Sequence, residues 1–349
     1  MKKIIKLVLL MVILGGSYYY FNIYKKENMS DLEKMVGKEE ATRLASKYDE
    51  DIVYKMINLK DYDSDKLDDY MVFYNNNKDV KLDNIIKVVN NNIDKLDGFV
   101  YDDVVIDLID EKYYIYDNTI RYMNYINENE DLTLSEVVAN VNSNLDYAFY
   151  TNTTSVDMSY DTLLLVNKYY KLDEDYEPED LVYMESPYSY KGGYVRQEVY
   201  NAFKDMVNDA YKEDINLYSV SPYRSYQTQK GLYESYASDD GYERADTYSA
   251  RAGFSEHQTG LAIDINSTDD SFAYTEEAKW LKENAYRYGF ILRYPKDKEY
   301  ITGYQFEPWH YRYVGIDVST KIYELDITFE EYYAYYIKKG SLSNSVGGQ

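Results

Sequence analysis

The stretch Ser255-Glu256-His257-Gln258-Thr259-Gly260-Leu261-Ala262-Ile263-Asp264-Ile265 organises the chain. From Gly260 onward, Leu261, Ile263 and Ile265 alternate with Ala262 and Asp264, the period-two pattern of a strand with one apolar face. On such a strand Ala262 and Asp264 share the opposite side, where Asp264 is free to reach a ligand and the small Ala262 leaves room beside it. His257 precedes the strand on a turn loosened by Gly260, so its ring bends back toward the same point. The chain has only two histidines. The second, His310, lies in Glu307-Pro308-Trp309-His310-Tyr311, again beside carboxylates.

Pro308 biases Glu307 to extended geometry and removes a backbone donor, so this segment reads as a turn entering a strand over 310–314. The turn brings Glu307 and His310 to one side. Two imidazoles and a carboxylate commonly hold a catalytic zinc with one open position. His257, Asp264 and His310 are therefore the candidate zinc ligands, and Glu307 the candidate general base on the attacking water. Singly, each histidine is an ordinary residue; the combination is what carries the signal.

The pattern Ser255-x-His257-x-x-Gly260-x-Ala262-x-Asp264 followed by Glu307-x-x-His310 resembles the signature of VanY-type D-alanyl-D-alanine carboxypeptidases. These belong to a group of zinc peptidases that includes VanX-like dipeptidases. The similarity runs from about 163 to 315 and takes in Tyr223-Arg224-Ser225 and Tyr288-Gly289-Phe290, with no departure at a metal or base position. The resemblance implies an α+β domain: a small, mainly antiparallel sheet with flanking helices, the zinc in its cleft. It also implies removal of the terminal D-Ala from peptidoglycan stem peptides. Related endopeptidases and dipeptidases share the same zinc site, and a non-catalytic wall-binding protein is the alternative of another class. The intact Glu307 argues against a binder, which has no need of a base.

Arg224 falls at a junction between a strand over 217–221 and a helix from 226, where catalytic groups often project. The resemblance adds a role for it: steadying the substrate carbonyl as it becomes an oxyanion. Ser255 as donor to the substrate's terminal carboxylate rests mainly on the resemblance, with a simple turn-former as the alternative.

Composition bounds the rest. The 349 residues carry a net charge of -24, which argues against a nucleic-acid partner. Absence of cysteine rules out disulfides and thiolate zinc sites. The 47 tyrosines mark no site by themselves.

In chain order, Lys2, Lys3 and Lys6 precede an apolar run over 7–23 with no small-x-small cleavage site. Residues 1–27 are expected to be an uncleaved membrane anchor, with the catalytic domain outside the cell; secretion after signal cleavage is the alternative. Residues 31–146 are acidic, helical in pattern and internally repeated at an offset of about 52 residues. Tyr70-Met71, Asn75, Leu82 and Val89-Asn90 recur as Tyr122-Met123, Asn127, Leu134 and Val141-Asn142. This module is expected to be a stalk in preference to a wall-binding or partner-binding device. A polar linker follows over 147–160, then the zinc domain over 158–337. That domain is expected to begin with a strand over 162–166 and to include a helix through Val199, Phe203, Met206 and Ala210. Residues 340–349 are expected to be disordered.

Overall fold

The computed structural model describes residues 29–338. The chain divides into two compact units, one ending at Asp110 and the other beginning at Glu111.

The first unit is helical. Ser30 and Glu33 form a capping box at the helix Asp31–Val36, and Asp49 caps the helix Glu50–Ile57. Leu32, Val53, Met56, Tyr70, Met71, Ile85 and Val89 are buried together as its core. The sequence repeat corresponds to repeated hydrogen bonding. In one copy Asp63 N–H donates to the Tyr70 hydroxyl, which donates to Asn90, whose amide donates to the carbonyl of Asp61. In the other, Ile115 N–H donates to Tyr122, Tyr122 to Asn142, and Asn142 to the carbonyl of Tyr113. Both chains satisfy groups that would be costly to bury unpaired. The boundary at 110/111 falls between the copies, so the second copy belongs to the unit that holds the candidate site. There Tyr169 donates to the carbonyl of Tyr147, and Tyr113 stacks on Tyr335 with ring centres 3.6 Å apart.

Among the described residues the second unit contains eight short strands: β1 (Thr154–Ser155), β2 (Tyr170–Lys171), β3 (Leu181–Met184), β4 (Gly193–Arg196), β5 (Ser219–Ser221), β6 (Ala262–Ile265), β7 (Phe290–Leu292) and β8 (His310–Tyr313). β1 and β2 pair in parallel, and β3 and β4 form an antiparallel hairpin. The other four make one antiparallel sheet in the order β5-β6-β8-β7. This is the mixed α+β architecture expected from the sequence. Ile263, Ile265, Tyr311 and Tyr313 pack with Val199, Phe203, Met206 and Ala210, the buried stripe of the helix Gln197–Tyr211.

Two expectations are corrected. Residues 162–166 are not a strand. The carbonyls of Thr162 and Leu164 instead accept from the Arg312 guanidinium at 2.9 and 2.8 Å, so the backbone wraps a buried cation and has no ladder partner. The single-pass membrane protein is also withdrawn. The run over 7–23 lies outside the described residues, as does the tail over 340–349. Among the described residues no helix is long and apolar enough to cross a membrane. The helices Gln197–Tyr211 and Tyr226–Asp240 have 15 residues each, against about 20 needed for a span.

Candidate active site

The register of the central sheet sets Asp264 directly opposite His310 across β6 and β8. Directly opposed residues share a face, so the carboxylate and the imidazole meet without any loop having to place them. His257 arrives from the short 3-10 turn Glu256–Thr259, which Gly260 ends in the left-handed region at φ 67°. A side chain at Gly260 would also press on Leu181 and Arg196, 3.0 and 3.1 Å from an added Cβ. The turn therefore needs glycine for both conformation and space.

His257 Nε2 lies 3.4 Å from Asp264 Oδ2, and His310 Nδ1 lies 3.1 Å from Asp264 Oδ1. The imidazole rings are 5.0 Å apart and nearly perpendicular. His257 Nδ1 is 2.9 Å from the Pro222 carbonyl, a contact that needs the proton on Nδ1 and leaves the Nε2 lone pair free. Asp264 Oδ1 is buried without a hydrogen-bond partner. Ligand atoms about 2.0–2.1 Å from a tetrahedral zinc stand about 3.3 Å from one another. The donor set, the separations and the unpaired buried oxygen all fit a zinc ion.

Glu307 comes from the turn entering β8, where its carbonyl accepts from His310 N–H at 3.2 Å. Its Oε2 is 3.6 Å from His310 Nδ1, yet the group of mutually close ligand atoms comprises only His257, Asp264 and His310. Arg224 donates from Nη1 to Ser221 Oγ at 3.1 Å, and its backbone N–H donates to the His257 carbonyl at 3.2 Å. Its Nε is buried with no partner. Ser255 is buried beside the turn, and its hydroxyl makes no cap bond there. All six residues singled out in the sequence line one cleft of about 370 Å³.

Protein charges give the ionisable groups of the site opposed protonation preferences. Burial and the nearby Arg224 guanidinium pull His257 down to about 4. Burial also disfavours charged His310, but Asp264, Glu256 and Glu307 override it and raise the ring to about 9. Burial disfavours ionised Asp264 too, yet the two histidines hold it well below the usual carboxylate range. Glu307 moves the other way: burial, opposed by His310 and reinforced by Asp264, pushes it up to about 8. Two carboxylates side by side with pKa values driven apart are a hallmark of acid–base sites.

The sequence reading missed several lining residues, among them Glu256, Tyr294 and Gln305. Glu256 stood within the quoted stretch, but its partners Arg293 and Arg312 are distant in sequence and carry no motif.

Two imidazoles and a carboxylate at zinc spacing, with a second carboxylate beside them in an open cleft, define a candidate single-metal hydrolase centre. The comparisons with known proteins agree. Residues 192–316 match the model of the VanY family, described as D-alanyl-D-alanine carboxypeptidase. The chain is 38% identical over 183 residues to the bifunctional D-Ala-D-Ala dipeptidase and D-Ala-D-Ala carboxypeptidase VanXYC of Enterococcus gallinarum, covering 50% of this chain and 94% of that one. The chain therefore belongs to the VanY family. It is also 45% identical to the putative carboxypeptidase YodJ of Bacillus subtilis (strain 168), over 49% of this chain and 66% of that protein. That span falls just short of two thirds of the relative's length. A solved structure of the LdcB LD-carboxypeptidase is 42% identical, with a TM-score of 0.50 over 53% of this chain and 91% of that one.

Proposed function

We propose that the chain is a zinc-dependent D,D-carboxypeptidase that removes the terminal D-Ala from peptidoglycan stem peptides. The observation that carries this reading is the convergence in one cleft of the three ligand residues, the Glu307 carboxylate and the unpaired Arg224 Nε. In this reading His257 Nε2, Asp264 and His310 Nδ1 hold the zinc. When bound, zinc polarises the scissile carbonyl and lowers the pKa of a coordinated water to about 7. Glu307 accepts the proton of the attacking water and returns it to the leaving amine. Arg224 steadies the carbonyl oxygen as negative charge develops on it. Ser255 donates to the carboxylate of the terminal residue.

A second reading is favoured by the likeness to an LD-carboxypeptidase: the same centre cleaves an L,D bond. Mass spectrometry of the zinc-loaded protein with stem pentapeptide and tetrapeptide separates the two. Loss of one alanine from the pentapeptide alone supports the D,D reading. Shortening of the tetrapeptide alone supports the L,D reading. A cut further in indicates an endopeptidase, and no change with either substrate indicates a binder.

Arg224→Ala should retain zinc and lower turnover, as loss of an oxyanion donor costs about 3 kcal/mol. It should also alter the pH profile. Glu307 must be unprotonated to act, so activity falls as pH drops through its pKa. Arg224 is one of the charges holding that pKa down. Its removal therefore moves the acid limb of kcat/KM to higher pH. An unmoved limb would mean that the limb does not report Glu307.

A further inference from the structure

On the side of His310 opposite Nδ1, two buried atoms face each other. His310 Nε2 and Glu256 Oε2 are 3.5 Å apart, and neither has a hydrogen-bond partner. The other Glu256 oxygen is fully engaged: Oε1 accepts from Arg293 Nε at 2.8 Å and from Arg312 Nη1 at 2.9 Å. Glu256 thus turns one oxygen to the arginines and the other toward the imidazole.

Both arginines are themselves held. Arg293 forks onto Glu330, with Nη1 and Nη2 donating to its two oxygens at 2.9 and 2.6 Å. Asn167 also donates to Glu330, at 3.2 Å. Arg312 donates to three carbonyls, those of Thr162, Leu164 and Tyr313, at 2.8–3.0 Å. The side chains of Glu256, Arg293, Arg312 and Glu330 are at most 1% exposed. Their two negative and two positive charges cancel, and the guanidiniums hold Glu256 ionised despite its burial.

A buried charge network of this kind is an expensive way to gain stability, since well-packed apolar side chains of similar volume often serve as well. An apolar side chain cannot hold an imidazole in one tautomer. A carboxylate behind a metal-bound histidine does so by accepting its second ring N–H.

We propose that Glu256 is a positioning residue for the metal centre, fixing His310 as the Nε2-protonated tautomer with Nδ1 toward the zinc. Arg293 extends this support to Glu330 on the helix Phe329–Tyr332. Asn167 and Glu330 lie outside the 192–316 stretch that matches the family model, so the support of the site extends beyond that stretch on both sides. The proposal rests on the zinc reading above.

The test uses the full chain and reads zinc affinity by chelator competition, together with nitrogen-15 NMR of the histidine rings. In zinc-loaded wild type the His310 ring should carry its proton on Nε2, hydrogen-bonded to a carboxylate. Glu256→Gln should weaken zinc binding about 10- to 100-fold and shift that ring N–H signal. Glu330→Gln, which leaves the Glu256–His310 pair in place, should produce a smaller loss in the same direction. Unchanged zinc affinity and an unchanged ring signal in folded Glu256→Gln would overturn the proposal. If Glu256→Gln does not fold, the wild-type spectrum still decides: a His310 proton on Nδ1 would overturn it. Wild type that takes up no zinc would overturn the zinc reading itself, a distinct result from wild-type binding that Glu256→Gln leaves unchanged.

Discussion

Replacing Glu307 with glutamine is expected to leave the zinc content intact while turnover falls by about a hundred- to ten-thousand-fold. The reasoning starts from position. Glu307 Oε2 sits 3.6 Å from His310 Nδ1 but outside the group formed by His257, Asp264 and His310. Glutamine preserves shape and can still accept one hydrogen bond, yet it takes no proton from water at neutral pH. Substrate affinity should change little, because the loss is confined to proton transfer. Burial already raises Glu307 to about 8 from protein groups alone, and a bound dication favours the carboxylate and brings the value down. The acid limb of wild-type activity should therefore lie between 4.5, the ordinary value for glutamate, and 8. Glu307→Gln should abolish that limb. Loss of zinc along with activity would make Glu307 a ligand, and near-normal turnover would assign the base elsewhere.

His257→Ala, Asp264→Ala and His310→Ala should each remove both zinc binding and activity. With three protein ligands, loss of any one leaves two, too few for the closed side of a tetrahedral site. Asp264→Ala carries a further consequence. Asp264 is among the groups that keep His310 charged in the absence of metal, and its carboxylate bridges both rings at 3.1 and 3.4 Å. Without it the His310 ring loses one of the charges that favour its protonated form. Equilibrium dialysis against zinc, with metal content measured by atomic absorption, reads the effect. Persistence of activity after exhaustive chelation of the wild type would sink the metallopeptidase reading.

Much of the candidate site was legible because its spacing is local. The alternation over 261–265 marks a strand with Asp264 on its polar side, and β6 covers Ala262–Ile265. The Glu307-Pro308-Trp309-His310 segment is the expected turn into a strand, closed by the His310 N–H. The stripe Val199, Phe203, Met206 and Ala210 is wholly buried on one helix. Local pattern does not reveal what lies across space. Residues 162–166 read as a strand because Leu163, Leu164, Leu165 and Val166 are apolar. Their backbone instead follows the demands of a guanidinium on β8, about 150 positions away. Glu256 drew no role from the sequence for the same reason: each of its arginine partners belongs to another part of the chain. The repeat was legible as spacing, whereas the boundary between its copies depends on which core each one joins.

The central claim is that one zinc sits among His257, Asp264 and His310 with Glu307 beside it and not bound to it. Anomalous scattering at the zinc edge from crystals of the zinc-loaded protein tests this most directly. The account predicts a single strong peak within bonding distance of His257 Nε2, His310 Nδ1 and an Asp264 oxygen, with both Glu307 oxygens beyond it. A peak bonded to Glu307, or none among these three residues, would contradict it.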